Sequence, residues 1–199
     1  MKHLETSYTS HDGIKLYLQA WMPEKSDAAI LIVHGLGEHS TRYAHLAKKL
    51  VDKNIAVFTF DGRGHGKSSL PKPTAYFSDY EDYLKDIDAL FGKVKSFVPN
   101  APTFIFGHSM GGGLVAAYAL RYKPQSDGII MSAAALKPAD NVSKALIAVS
   151  SIASKLVPKL KVLQLDSSMI SHDPLEVKKY NEDPLYTVKR YPLGQDTSY

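Results

Sequence analysis

Apolar residues in this chain come in short runs, with amphipathic stretches between them. Ala28 to Val33, Ile55 to Phe60 and Thr103 to Phe106 are apolar at nearly every position, the pattern of strands covered on both faces. Asp127 to Ser132 predicts a further strand. Helical spacing appears between these runs. Leu46, Ala47, Leu50 and Val51 predict a helix from about Arg42 to Lys53, and Tyr83, Ile87, Leu90, Val94 and Phe97 predict one from about Tyr80 to Phe97. A third helix opens at Met110 and runs through Leu120. Ahead of all of these, Tyr8 and the alternating stretch Ile14 to Trp21 predict a hairpin turned by His11-Asp12-Gly13, whose Asp-Gly pair supplies positive φ. Strand and helix in repeated alternation predict an α/β fold with a mostly parallel sheet and helices on both faces.

From Leu136 the pattern changes. Val142, Leu146, Val149, Ile152 or Ala153, and Leu156 recur at helical spacing, Leu160 to Tyr180 is irregular, and His172-Asp173-Pro174 reads as the start of a short helix. The expected organisation is therefore a core over residues 1–135, a helical lid or cap insertion over 136–185, and a tail over 186–199.

Composition narrows the class. A chain of 199 residues, 44% hydrophobic and 22% charged, has the length and balance of one soluble globular domain. Without cysteine it makes no disulfide and does no thiol chemistry. The N-terminal residues lack an apolar signal region, so a soluble, cytoplasmic protein is the expectation. Five lysines and one acid lie between Lys137 and Lys161, and this segment accounts for the whole formal charge of +4. Together with its apolar stripe, that charge suits either a lid helix that docks on an anionic lipid surface or a helix packed on the sheet with its lysines in water. Basic residues are not interleaved with aromatics in the manner of a nucleic-acid surface, so no nucleic acid is expected as a partner. The histidines lack metal-ligand spacing and the glycine-rich loops lack phosphate-binding order, so neither a metal nor an organic cofactor is expected.

One stretch carries the chemistry. Gly107-His108-Ser109-Met110-Gly111 joins a strand run to a helix run, the context in which a serine is held at the tip of a sharp turn. Glycines flank it where a Cβ would collide with a neighbouring element. The helix that follows aims free N–H groups and its positive dipole end at any oxygen arriving there.

Two further strings accompany this turn: His34-Gly35-Leu36-Gly37-Glu38-His39-Ser40-Thr41-Arg42-Tyr43 and Asp61-Gly62-Arg63-Gly64-His65-Gly66-Lys67-Ser68. With them the chain resembles the α/β-hydrolases, and more narrowly the monoacylglycerol lipase and lysophospholipase-like branch. Leu165 to Ser171 and Tyr180 to Leu185 resemble the lid of that branch, and the resemblance ends at about Leu185, the tail over 186–199 not resembling the family. The resemblance implies hydrolysis of small lipid esters, with Ser109 as nucleophile and the backbone N–H groups of Leu36 and Met110 as the oxyanion hole. It places Glu38 and Arg42 near the polar end of the substrate, where the alternative is an ion pair at the start of a helix. His34, Arg63 and His65 are expected to brace the turns.

Within the same fold an aminopeptidase-type amidase is the competing reading; from another class, a lipid-binding protein without catalysis. In the family the triad follows the order Ser, Asp, His, with acid and base after two more strands. Here the last histidine is His172, so C-terminal strands are expected to be missing, the edge beside Ile129 to lack a partner, and the chain itself to be inactive. Truncation, a shortened binding protein, and recruitment of His172 with Asp166 or Asp173 all remain open at this point.

Overall fold

Residues 1–71, 73–77, 79–137, 161–163, 167–186 and 191–192 are described by the structure, a computed structural model. The predicted hairpin forms from β1 (Lys2–Thr9) and β2 (Lys15–Met22), its turn closed by the Ser10 N–H donating to the Ile14 carbonyl at 2.8 Å, with Gly13 at φ 87°. β2 lies antiparallel to β4 (Ile55–Phe60). β3 (Ala28–Val33) runs parallel to both β4 and β5 (Thr103–His108), and β6 (Gly128–Ser132) lies parallel to β5. The sheet order is β1-β2-β4-β3-β5-β6.

Alternation along β3 explains why its run is apolar at every position. Ile30 and Ile32 join Trp21, Val57, Ala47 and Val51 under α1 (Ala44–Val51) on one face. Leu31 and Val33 join the larger core under α2 (Tyr80–Phe97) and α3 (Met110–Tyr122) on the other. The second predicted helix has the observed bounds of α2, with Asp79 accepting from the Glu81 N–H at 2.8 Å as its cap. The first is shorter than predicted. Ser40–Tyr43 form a 3-10 turn because the Ser40 N–H is drawn to the Asp61 carboxylate at 2.7 Å, and α1 stops where Asn54 turns at φ 59°. Among the described residues β6 is the outermost strand on its side, and Ile129, Ile130 and Met131 are exposed there.

Beyond Leu136 less is described. The predicted helix through Val142 to Leu156 lies outside the described residues, and so does most of the tail. The short helix is present as α4 (Pro174–Glu182), capped by Asp173, which accepts the Leu175 N–H at 2.9 Å. In the stretch read as irregular, β7 (Lys161–Leu163) pairs antiparallel with β8 (Tyr191–Pro192). Three residues against two are too few to leave a period in the sequence.

The loop after β4 is tied to both neighbours by one buried cation. Arg63 donates to Asp86 of α2 at 2.6 and 3.0 Å, to the Ser10 hydroxyl at 2.9 Å, and to Asp12 of the hairpin turn. Burial works against the charge, but the bonds to Asp86 and Asp12 outweigh it and hold the guanidinium protonated. Removing the buried partner strands that charge. Asp86→Ala is expected to cost about 3 kcal/mol in urea unfolding, whereas Asp12→Asn, near the surface, should cost under about 1 kcal/mol. Equal losses would mean that Arg63 is not held mainly through Asp86.

Candidate active site

Three backbone segments meet where β3 and β5 end. A Cβ on Gly107 would strike the Gly111 carbonyl, and one on Gly111 would strike the carbonyl oxygens of Val33 and His34, so strand, helix and loop approach more closely than any other residue allows. Between them Ser109 adopts φ 52° and ψ −118°. It is held there on both sides: its N–H donates to the Ser132 carbonyl at 2.9 Å, and its carbonyl accepts from Gly113 at 3.1 Å and Ala135 at 3.0 Å. No hydrogen bond reaches its hydroxyl among the described residues.

The loop after β3 passes directly over this serine. A Cβ on Gly35 would lie 3.2 Å from the Ser109 Cβ. Leu36 follows at that point, partly buried against the larger core, and Met110 is buried at the first position of α3. The two residues expected to supply oxyanion N–H groups therefore flank the serine in the chain segments that meet at it.

Glu38 and Arg42 form the ion pair at 3.6 Å, and Glu38 also accepts the Gly35 N–H at 3.2 Å, which bends the loop back on itself. His108 is a second neighbour: its Nε2 lies 3.8 Å from Glu38, and its Nδ1 is 3.2 Å from the Ser132 hydroxyl. Burial first, then the Glu38 charge, pushes the Tyr43 phenol far up, so it stays neutral beneath them.

Below the loop the polar groups brace the turns. His34 donates from Nδ1 to the Gly35 carbonyl at 2.7 Å and accepts the Gly62 N–H on Nε2 at 2.9 Å, which makes it a neutral imidazole of one tautomer. His65, 5.0 Å away ring to ring, donates to the Arg63 carbonyl, and its Nε2 is buried without a hydrogen-bond partner among the described residues. Asp61 receives the N–H groups of Ser40 and Lys67, each at 2.7 Å.

Sequence reasoning missed one contact. His39, nearly inaccessible, pairs through Nε2 with Asp183 at 2.9 Å, while Tyr186 packs edge-on against it at 5.5 Å and takes Arg42 over its ring at 4.9 Å. The segment after α4 is thereby fastened to the loop that carries Gly35 and Leu36. Both strings were visible, but nothing local links residues 144 positions apart. His172 is exposed and makes no hydrogen bond among the described residues, and Asp173 is occupied as the cap of α4.

Comparison with known proteins agrees with this geometry. Residues 24–194 match the family described as Serine aminopeptidase, S33, so the match extends past Leu185, where the resemblance read from sequence ended. The chain is 32% identical over 191 residues to the monoacylglycerol lipase of Mycolicibacterium smegmatis, covering 96% of this chain and 68% of that protein. It is 31% identical over 176 residues to human monoglyceride lipase, covering 87% of this chain and 57% of that one. The crystal structure of the Paleococcus ferrophilus monoacylglycerol lipase superposes with a TM-score of 0.77 at 30% identity, covering 92% of this chain and 68% of that one. The chain belongs to the α/β-hydrolases, in their monoacylglycerol lipase-like branch.

Burial lowers both bracing histidines below their ordinary value of 6.5, His65 to about 3. Between those limits for His65 an unfolded chain binds a proton that the folded chain excludes, so stability falls as pH falls, by up to roughly 1.4 kcal/mol per pH unit, and His34 acts in the same direction. Urea unfolding of the parent and of His65→Gln at pH 6.5, 5.5 and 4.5 should show the slope reduced by about one proton in the variant. An unchanged slope would mean that His65 titrates normally in the fold.

Proposed function

We propose that the protein hydrolyses carboxylic esters, monoacylglycerols above all, through an acyl-enzyme on Ser109. The observation that carries this reading is the backbone of Ser109. A non-glycine residue in that conformation is strained by about 1–3 kcal/mol, and strain of this kind persists where the surrounding structure imposes it. Its position at the N-terminus of α3, with Gly35 passing over it, suits nucleophilic attack. Ser109 Oγ adds to the ester carbonyl, the oxyanion takes the N–H groups of Leu36 and Met110, and the alcohol leaves with a proton; water then releases the acid. Glu38 and Arg42 would meet the glycerol end. The family description names aminopeptidases, but the relatives above are lipases by name, which favours esters over amides.

No described residue hydrogen-bonds the Ser109 hydroxyl, and a serine without a base is a weak nucleophile. The 199-residue chain by itself therefore turns over slowly, at the level that binding and the oxyanion hole sustain, about 10³–10⁴-fold over water. A fluorophosphonate probe should label the parent slowly at Ser109 and leave Ser109→Ala unlabelled, and p-nitrophenyl ester turnover should be weak in both. Equal labelling of the two proteins would refute the assignment of Ser109. Steady turnover lost in His172→Ala would give the role of base to that histidine, and ligand binding without any labelling would favour a non-catalytic lipid-binding protein.

Residues 136–185 act in this proposal as the lid, a role supported by the clasp of His39 and Asp183. The five lysines of 137–161, which lie largely outside the described residues, would bring it to an anionic lipid surface. No helix among the described residues is long and apolar enough to cross a membrane. Sedimentation with anionic vesicles is expected to exceed that with neutral ones and to weaken as salt rises. Equal binding to both, or to neither, would leave the lysines as a solvated face.

A further inference from the structure

The described residues hold a second concave site between the hairpin of β1 and β2, the strand β4 and the second half of α2. Its volume is about 220 Å³. The helix starts beside the loop after β4, where Asp86 meets Arg63, and ends beside the start of β5, where Lys95 donates to the Gln125 carbonyl at 2.9 Å. Leu90, Val94 and Phe97 of its second half line the cavity together with Phe58, Thr59 and Phe60 of β4, and no residue flanking Ser109 is in the lining.

Three features define what would occupy it. Leu18, Phe58, Leu90 and Val94 make the walls apolar; Thr6 and Ser7 of β1 also lie in the lining, and Gln19 and Thr59, which border it, turn their side chains to other partners, Gln19 donating to Ser40 and Thr41 and Thr59 to the Ile32 carbonyl. Among the described residues Lys93 is the only charged one in the lining. Its ammonium lies 5.1 Å over the Tyr8 ring and has no carboxylate partner among the described residues. Phe97 stands at the rim, 62% exposed, its ring 5.6 Å from that of Phe58. An apolar cavity with an exposed aromatic at its rim and one unpaired cation in its lining is complementary to an amphiphile with a negative head. The volume falls below the roughly 300–1,000 Å³ of pockets for drug-sized ligands, which suits one unbranched chain of medium length and excludes a two-chain lipid.

We propose that this cavity binds an aliphatic monocarboxylate, its chain between the hairpin and α2 and its carboxylate on Lys93. The inference stands apart from the proposed reaction, since no residue of the Ser109 site lines the cavity. If that reaction is right, the ligand is of the class the reaction releases, and the site would sense product.

Calorimetric titration of Ser109→Ala, in which no ester chemistry can intrude, tests it with decanoate below its micellar concentration, with decanol, and with decyltrimethylammonium. Decanoate is expected to bind one to one, decanol more weakly, and the cationic amphiphile not at all. Adding Lys93→Gln, a change on an exposed side chain, should weaken decanoate about tenfold and leave decanol unchanged. Leu4→Trp, on the edge strand β1, fills the cavity from its open side and should abolish binding, with an unaltered thermal transition showing that the fold is intact. Absence of decanoate binding, equal affinity in parent and Lys93→Gln, or binding that survives Leu4→Trp would each overturn the proposal.

Discussion

The close approach of three backbones at the ends of β3 and β5 is the constraint on which the rest of the site depends. Helix α3 can begin where it does only because Gly111 presents no Cβ to the carbonyl oxygens of Val33 and His34. Strand β5 can end there only because Gly107 presents none to Gly111. With the chain so confined on both sides, the residue between must reverse direction within one peptide, and Ser109 is left at φ 52°. Three backbone hydrogen bonds, to Ser132 and from Gly113 and Ala135, hold that conformation against its strain.

Around this point the polar groups are buried and engaged, which gives the loops a defined shape without a large apolar core of their own. His34 and Asp61 satisfy backbone N–H groups of the turns beside them, and Arg63 joins hairpin, loop and helix through Asp86, Ser10 and Asp12. Such groups stabilise only while fully paired. Among the described residues the buried Nε2 of His65, Nδ1 of His39 and the hydroxyls of Tyr43 and Tyr186 find no hydrogen-bond partner, and the His65 ring meets its burial by staying neutral.

The two concave regions differ in kind. Where the parallel strands finish, loops of glycine and charged residues converge on Ser109, as function in open α/β sheets does generally. Near the last turns of α2, the hairpin and the helix diverge enough to leave an apolar cavity with a lone cation, Lys93, in its lining.

Local pattern determined the elements. Ala28–Val33, Ile55–Phe60 and Tyr80–Phe97 have the bounds their periodicity predicts, and Gly107 to Gly111 announces a strand-turn-helix junction, because side-chain alternation and turn chemistry act over a few residues. Tertiary structure decided everything that needs two distant segments. Only it set β5 beside β3, gave Arg63 to Asp86, brought His39 to Asp183 and opened the cavity at Lys93. No period along the chain encodes which buried charge will meet which, since that choice is made by the order in which strands pack and by the requirement that each buried polar group find a partner.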